Sequence, residues 1–436
     1  MSYPEPLPAP NTGPVTAAER LFSLDVLRGV AVMGILVMNV YAFAMPLAAY
    51  SNPLIMGGSD ALNLGTWFFT HLFFDQKFMS IFSMLYGAGV VMLMNRAEAR
   101  GAAFGPIFYR RSAWLIVIGL LHGYFIWFGD ILFHYALMGM VVFLLRKASP
   151  RTLIVVACIL LPVVPLINFS ASFYIEALQG EVVAIEQQQQ QGAALDDEQE
   201  QKLAEWQEIR PFFAPNGDDI AAELAAYRGS YVDALMQRAP FVAFMQVNLT
   251  LVFVVWRVGG LMLLGMALMK LGVLSGERST GFYQRMAMVG YGVGLPLTIL
   301  SALILEAHQF DPLYLSRYGG IPNYFGSIMV AFGHIGAVNL ILRSGALQSI
   351  AGRVAAVGRM ALSNYLGHSL VMTSLFYGYG LGLYADVPRF WQQGFVVALI
   401  GLQLIVSPWW LTHFRFGPAE WLWRTLNYRQ RQPMRL

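Results

Sequence analysis

The chain has 436 residues, of which 57% are hydrophobic and only 12% charged, and its formal net charge is +3. Soluble proteins are about 25% charged, so this composition excludes an ordinary soluble domain. The single cysteine, Cys158, excludes an intrachain disulfide and a cysteine-based metal cluster, and no metal site is predicted.

Apolar runs recur along most of the chain. Many have about 18 residues or more, enough to cross a hydrocarbon core of ~30 Å. The sequence therefore predicts an all-α fold: a polytopic transmembrane helical bundle of about ten spans with one polar extracytoplasmic helical insert.

Five domains are predicted in chain order. Residues 1–20 are proline-rich and are expected to form a disordered N-terminal tail. Two transmembrane halves follow, at 21–172 and 244–412, separated by a polar acidic insert at 173–243, and 413–436 form a basic cytoplasmic tail. Each half is predicted to contain five spans, at residues 23–45, 77–95, 112–129, 131–147 and 152–172, and at 244–270, 284–306, 322–343, 357–378 and 391–412.

Charge is unevenly distributed along the chain. Residues 176–240 contain thirteen acidic and four basic residues, a net charge of −9, so the remainder carries +12. Basic residues concentrate in short loops between spans, and the positive-inside rule places these loops and both termini in the cytoplasm. This orientation requires segment 61–76 to be interfacial or re-entrant on the outer face. The insert is expected to be a solvated helical cap, with a lid or a docking surface as the alternative.

Ionisable residues inside the spans are candidate functional residues, because a charge at the bilayer centre costs ~2.5–3.5 kcal/mol on insertion scales. Asp25 and Arg28 are three residues apart and share a helix face at the entrance of the first span. They form either a local ion pair or a site at which Arg28 faces an anionic ligand. Asn39 lies further along the same span, where its amide needs an interhelical partner.

Arg111 and His122 are expected on one face of the third span. Their separation of eleven residues is almost three turns, or ~16 Å of rise. This spacing suits a long substrate with an anionic head at the surface and a reactive end deep in the membrane. Gly119 and Gly123 form a GxxxG pair beside His122, which permits close approach of another helix.

Asp130 and His134 are four residues apart at the outer end of the next span and are expected to hydrogen-bond there if the helix has begun. A carboxylate oriented against a histidine raises the basicity of the imidazole and fixes its tautomer. The structural alternative is that each buried histidine is simply satisfied by a neighbouring helix.

Other polar residues are predicted to support a cavity or to be structural. Arg257 lies near the middle of the sixth span, and Asn364 and His368 share one face of the ninth. Three residues near the first outer segment, His71, Asp75 and Lys77, are expected on its wet face, with a site as the alternative. Glu420 and Arg424 are one turn apart and are expected to form a local ion pair in an interfacial helix.

Five sequence blocks resemble, in order, those of the YeiB-like family of bacterial multi-pass membrane proteins. The resemblance implies the bacterial inner membrane and a multi-pass fold, and the family brings no established activity. The blocks are LDVLRGVAVMGILVMN (24–39), KFMSIFSMLYGAG (77–89), YRRSAWLIVIGLLHGYFIWFGDILFHYALMG (109–139), GRMALSNYLGHSLVMTSLFYGYGLGL (358–383) and FRFGPAEWLWR (414–424).

A more distant similarity bears on function. The LDVLRG entry is similar to the start of membrane acetyltransferases of the heparan-alpha-glucosaminide N-acetyltransferase kind. The Arg-x10-His spacing of Arg111 and His122 resembles a motif of the membrane acyltransferases that modify bacterial surface sugars. Those enzymes take acyl-CoA from the cytoplasm and deliver the acyl group to an acceptor on the far side.

The leading hypothesis is therefore a membrane acyltransferase. Arg111, with Arg28 and Asp25, would bind acyl-CoA (acetyl-CoA, for example) as co-substrate, and no tightly bound cofactor is expected. His122 would act as general base or transient acyl acceptor. Asp130 and His134 would serve the acceptor site.

Two alternatives remain open: a proton-coupled transporter of a small or lipidic solute, and a non-catalytic membrane scaffold. The expected partners are the lipid bilayer and a small-molecule or lipid-linked acceptor. A homodimer is a further possible assembly, and no nucleic-acid partner is expected.

Overall fold

The computed structural model describes residues 21–99, 101 and 104–436. The predicted tail at 1–20 lies outside the described residues. Within those ranges the chain is helical, with one isolated β-bridge between Phe414 and Arg435. The prediction of an all-α polytopic helical protein is confirmed.

Nineteen α-helices make up the described chain, with a 3₁₀ turn at Phe143–Leu145 and π-helical segments at Thr250–Val258 and Leu315–Gly319. The α-helices are α1 (Phe22–Ala44), α2 (Ala48–Ser51), α3 (Ala61–Phe73), α4 (Lys77–Ala99), α5 (Phe104–Phe125), α6 (Leu132–Val142), α7 (Pro150–Leu160), α8 (Val163–Gln190), α9 (Asp197–Phe213), α10 (Gly217–Arg228), α11 (Tyr231–Leu249), α12 (Gly259–Lys270), α13 (Thr280–Ala307), α14 (Pro312–Tyr314), α15 (Gly320–Ser344), α16 (Gln348–Arg359), α17 (Ala361–Phe376), α18 (Arg389–His413) and α19 (Pro418–Tyr428).

Eight helical stretches in the described ranges are long and apolar enough to cross a membrane. The apolar helix Leu132–Leu145 is shorter, and α17 has 16 residues. The span predicted at 357–378 is interrupted at Met360, where α16 ends and α17 begins. The eight stretches are Phe22–Ala44, Ala61–Ala99, Phe104–Phe125, Pro150–Gln190, Tyr231–Lys270, Thr280–Ala307, Pro312–Ser344 and Arg389–His413.

Helix α1 lies at the centre of the bundle, with 16 of its 23 residues buried. It packs closely against α16, and α4 packs in the same way against α12. Glycines permit these approaches, since a Cβ on Gly29, Gly358, Gly87 or Gly265 would overlap a main-chain carbonyl of the facing helix. The helices cross without the usual layer of side chains, as is common in membrane proteins.

The surface of the bundle is apolar, as a lipid-facing surface must be. Large aliphatic side chains such as Leu144, Ile159, Leu166, Val397 and Ile405 are each more than 60% exposed. A soluble protein rarely displays such a continuous apolar surface. The bilayer is the environment that this surface fits.

The segment predicted to be interfacial or re-entrant contains α3. Asp60 caps this helix by accepting hydrogen bonds from the Leu62 and Asn63 amides. Its 13 residues span ~20 Å, less than the ~30 Å hydrocarbon core. Gln76 then takes a left-handed conformation, with φ of 62°, and redirects the chain into α4.

The acidic insert forms helical layers that contact the bundle. Helix α8 continues to Gln190, and its apolar face packs against Trp206 of α9. Helix α10 contacts the bundle through Glu223, which accepts hydrogen bonds from the Leu47 amide (3.0 Å) and the Tyr384 hydroxyl (3.2 Å). Burial raises the pKa of Glu223 to about 7, although both hydrogen bonds lower it.

Candidate functional site

A partly open cavity of about 250 Å³ lies where one end of the bundle meets α19. We call it the arginine cavity because six arginines line it. Its inner wall is apolar and aromatic, with Leu85, Leu115, Tyr135 and Tyr365 all buried. The arginines are Arg28, Arg96, Arg111, Arg359, Arg415 and Arg424.

One face of α5 connects the cavity with the membrane interior. Phe108, Arg111 and Leu115 line the cavity, and Gly119 and His122 continue the same stripe at helical spacing. Arg111 and His122 thus share a face, separated by ~16 Å along the axis.

The predicted anion-binding residues lie together in the cavity wall. Arg28 forms an ion pair with Asp25 at 2.9 Å, and both line the cavity with Arg111. The Arg111 guanidinium lies 3.9 Å over the ring of Trp423, whose indole N–H donates to the Arg111 carbonyl at 2.9 Å. Helix α19 therefore holds Arg111 in place through its main chain and its side chain.

Glu420 has a different role from the local ion pair that we predicted. Its carboxylate accepts hydrogen bonds from the Leu362 amide (2.7 Å), the Ser363 amide (3.2 Å) and the Ser363 hydroxyl (2.5 Å). These groups begin α17, so Glu420 caps that helix from outside. Burial raises the pKa of Glu420, and these hydrogen bonds lower it. Arg424 lies 4.6 Å over the Phe416 ring.

Tyr365 lies between the inner end of the cavity and His122. It lines the cavity, and its ring centroid is 5.3 Å from that of His122. Its hydroxyl donates to the Gly129 carbonyl (3.1 Å) and accepts from the Ile131 amide (3.2 Å), so it also fixes the connection between α5 and α6.

His122 bridges a carboxylate and a hydroxyl. Its Nδ1 lies 2.8 Å from Asp130 Oδ1, and its Nε2 lies 2.8 Å from Ser369 Oγ. The Asp130 carboxylate accepts from Nδ1–H, which leaves the Nε2 lone pair to accept the Ser369 hydroxyl proton. All three residues are buried. This order of groups, carboxylate–imidazole–hydroxyl, is the one that activates a nucleophilic serine.

Asp130 therefore has a different side-chain partner from the one that the spacing indicated. It precedes α6, and its Oδ2 accepts from the Phe133 amide at 2.9 Å, so its carboxylate turns towards α5. His134 Nδ1 instead donates to the Asp130 main-chain carbonyl at 3.3 Å. The structure thus brings Asp130 to His122 and places His134 beside the main chain of that turn.

The four predicted supporting residues do not line the arginine cavity. Asn364 donates to Ser407 at 3.2 Å, and His368 bonds Gln403 at 3.0 Å, so both join α17 to α18. Asn39 is half-buried on α1, and Arg257 belongs to a separate buried cluster.

The prediction that His71, Asp75 and Lys77 lie on a solvent-exposed face is wrong, because all three are buried in this second cluster. Asn323 accepts from Lys77 Nζ at 2.8 Å and donates to Asp75 at 2.7 Å. Lys77 also donates to the His71 carbonyl at 2.5 Å. The reason is that α15 covers the start of α4 and provides the amide that joins the two charges.

Arg257 extends this polar region in the bundle interior. It donates to the Tyr324 carbonyl (3.0 Å) and to the Ser327 hydroxyl (2.8 Å), and its guanidinium lies 4.1 Å from the Tyr324 ring. Across the described ranges, His, Cys, Asp and Glu side chains do not gather in groups of three or more that could hold a metal ion.

Comparison with known proteins identifies the family. The model of a family described as protein of unknown function (DUF418) matches residues 268–430. The chain is 30% identical to the uncharacterised protein YeiB of Escherichia coli, over 95% of this chain and 98% of YeiB. It is also 30% identical to the uncharacterised protein YxaH of Bacillus subtilis, over 97% of each chain. The chain belongs to the DUF418 family of YeiB-like proteins. No solved structure is significantly similar to it.

Family membership confirms the resemblance carried by the five sequence blocks. Residues that the sequence left without a role, Tyr365 and Ser369, lie within the fourth of those blocks and within the matched range. They are four residues apart, as is Thr373 from Ser369, which places three hydroxyl groups on one face of α17. That periodicity is the signal by which the sequence could have revealed them.

Proposed function

We propose that this protein is an integral membrane acyltransferase that moves an acyl group from cytoplasmic acyl-CoA to a hydroxyl or amine of an extracytoplasmic sugar, lipid or envelope component. The observation that carries the proposal is the arginine cavity, with six cationic side chains and an apolar, aromatic interior that leads to Tyr365 and His122.

The charges of the cavity match the phosphates of coenzyme A. Guanidinium groups bind phosphate with two parallel hydrogen bonds, and they do so most strongly where water is partly excluded. Arg111, held by Trp423, is half-buried in the wall of the cavity. The apolar interior suits the extended arm that carries the thioester, and the ~16 Å between Arg111 and His122 gives that arm its path.

His122 would supply the base. A histidine oriented by a carboxylate removes a proton from an attacking hydroxyl or amine, and such a base contributes about 10²–10⁴-fold to the rate. The 2.8 Å hydrogen bond that His122 Nδ1–H donates to Asp130 fixes the imidazole tautomer that leaves Nε2 available as an acceptor.

The test is release of coenzyme A from acyl-CoA by protein in proteoliposomes, with membrane lipid and sugar fractions of the host bacterium added as acceptors. We expect His122→Ala to lower the rate at least ~100-fold. The matched control is His308→Ala, because His308 is an exposed histidine at the end of α13. Equal rates in the wild type and His122→Ala would refute the proposed chemistry.

A second candidate, a proton-coupled transporter, is favoured by one observation. The buried chain from Lys77 through Asn323 to Asp75 joins a cation to a carboxylate inside the bundle. Buried ionisable residues of this kind mark ion and solute pathways in membrane proteins. Solute-driven acidification of proteoliposomes that is lost in Lys77→Met, with no acyl-CoA turnover, would establish this function instead.

A further inference from the structure

We infer that Ser369 is the nucleophile of the transfer and carries the acyl group as a serine ester between donor and acceptor. The inference rests on the proposed acyltransferase function and specifies its route: two successive transfers through the protein in place of one direct transfer.

The hydrogen bonds of His122 single out Ser369. Nδ1 is held by Asp130 Oδ1 and Nε2 by Ser369 Oγ, both at 2.8 Å. His122 is 1% exposed and Ser369 is fully buried. A general base removes the proton that lies within hydrogen-bond reach. The hydroxyl of Ser369 is the group in that position, so an acceptor molecule would have to displace it before His122 could act on the acceptor directly.

The position of Ser369 suits a relay across the membrane. Helix α17 begins at the arginine cavity, which Ala361, Leu362 and Tyr365 line, and ends at Phe376. Ser369 lies ~12 Å of rise from Ala361 and ~10 Å from Phe376. It is therefore midway along the helix, one turn beyond Tyr365. Tyr365 lines the cavity and its ring contacts His122, so the route of a thioester to Ser369 passes beside this side chain.

The chemistry balances in two steps. In the first, Ser369 Oγ attacks the thioester carbonyl while its proton passes to His122 Nε2. The C–S bond breaks, and the coenzyme A sulfur takes that proton. In the second, the acceptor hydroxyl or amine attacks the serine ester and gives its proton to Nε2. The ester C–O bond breaks, and the proton returns to Ser369 Oγ.

Trapping of the acyl-protein tests the inference. Cys158 is an exposed free cysteine that thioesters acylate without an enzyme, so every variant carries Cys158→Ser. The acetyl-, butyryl- or palmitoyl-CoA that most raises the melting temperature of the purified protein is used in radiolabelled form. The protein is mixed with this donor for one turnover, quenched in acid, and mapped by mass spectrometry of its peptides.

We expect about one acyl group per protein on Ser369, stable to neutral hydroxylamine as an oxygen ester is. Ser369→Ala should lose the label and slow the release of coenzyme A at least ~100-fold, while keeping the ligand-induced rise in melting temperature. Ser369→Cys should restore a label that neutral hydroxylamine removes, because a thioester replaces the ester. Ser374→Ala, an exposed serine on the same helix, should behave as the parent does.

Two outcomes overturn the inference, and they differ in what they leave standing. Release of coenzyme A at the parent rate by Ser369→Ala, or a label found on His122, means direct or histidine-borne transfer, and the proposed function survives. If no acyl-CoA raises the melting temperature of the parent, the proposed function fails and the serine relay fails with it.

Discussion

The crossing of α5 and α6 allows a sharp comparison between two neighbouring glycines. A Cβ on Gly119 would lie 2.7 Å from Asp130 Oδ2 and 3.0 Å from Phe133 Cα, and it would overlap the Phe133 amide. A Cβ on Gly123 would meet Val242 Cγ1 at 3.4 Å and Asp130 Cβ at 3.5 Å, both ordinary contacts. Only the first substitution forces the helices apart.

The expected effects have opposite signs. Gly119→Ala should destabilise by ~1–3 kcal/mol, as overpacking does. Gly123→Ala should stabilise by ~0.5–1 kcal/mol, because alanine loses less backbone entropy in a helix. At ~2.1 cal/mol/K of unfolding entropy per residue, a chain of this length changes its melting temperature by ~1 °C per kcal/mol. The two variants should therefore differ by ~2–4 °C.

The assay is thermal unfolding of detergent-purified protein, followed by tryptophan fluorescence, together with release of coenzyme A. Gly119→Ala should also be the less active variant, because the added methyl group displaces the Asp130 carboxylate that orients His122. Equal melting temperatures and equal activities of the two variants would refute the claim that the close crossing of α5 and α6 holds Asp130 in place.

Two further predictions concern carboxyl groups outside the spans. The pKa of Glu223 is raised to about 7 in the folded protein, so the native state favours the neutral carboxyl group. The free energy of unfolding therefore falls as pH rises from the pKa of Glu223 in the unfolded chain through 7. Glu223→Gln should therefore flatten the fall in melting temperature between pH 5 and 8, and an unchanged slope would contradict the assignment. Glu420→Ala leaves the start of α17 uncapped and should destabilise by ~1–3 kcal/mol in chemical or thermal unfolding, more than Glu420→Gln; equal stability of both variants would refute the capping role.

Eight of the ten predicted spans overlap long apolar helices of the described chain. One face of the site could also be predicted from the sequence. Apolar runs identify membrane helices because every backbone group in lipid must bond within its own helix. The common face of Arg111 and His122 follows from the helical period alone. These features are local, so the sequence contains their whole cause.

The pairings in the site could not be predicted. Asp130 lies in the short non-helical connection between α5 and α6. Its spacing to His134 therefore does not predict which way its side chain points, and its partner, His122, is on the preceding helix. Ser369 is 247 residues from His122, and only the tertiary structure brings their side chains together. The positive-inside rule predicts Arg359, Arg415 and Arg424 as separate loop and tail charges. Their convergence on one cavity is a tertiary effect.

The most direct test of the central claim is binding of acyl-CoA to the arginine cavity. A ligand at 100 times its dissociation constant stabilises the protein by ~2.7 kcal/mol, which thermal unfolding in detergent detects. The variants are Arg111→Ala and, as control, Arg353→Ala, which removes an exposed arginine that does not line the cavity. Arg111→Ala also removes the contact with Trp423 and so changes the melting temperature of the unliganded protein. Each variant is therefore compared by the rise in melting temperature that the ligand causes, measured from that variant's own unliganded value.

We predict a saturable rise with acyl-CoA that Arg353→Ala keeps. Arg111→Ala should weaken affinity ~10–100-fold, as loss of a hydrogen bond to a charged group does. A rise that is equal in all three proteins, or no rise with acetyl-CoA, longer acyl-CoAs or coenzyme A, would contradict the account.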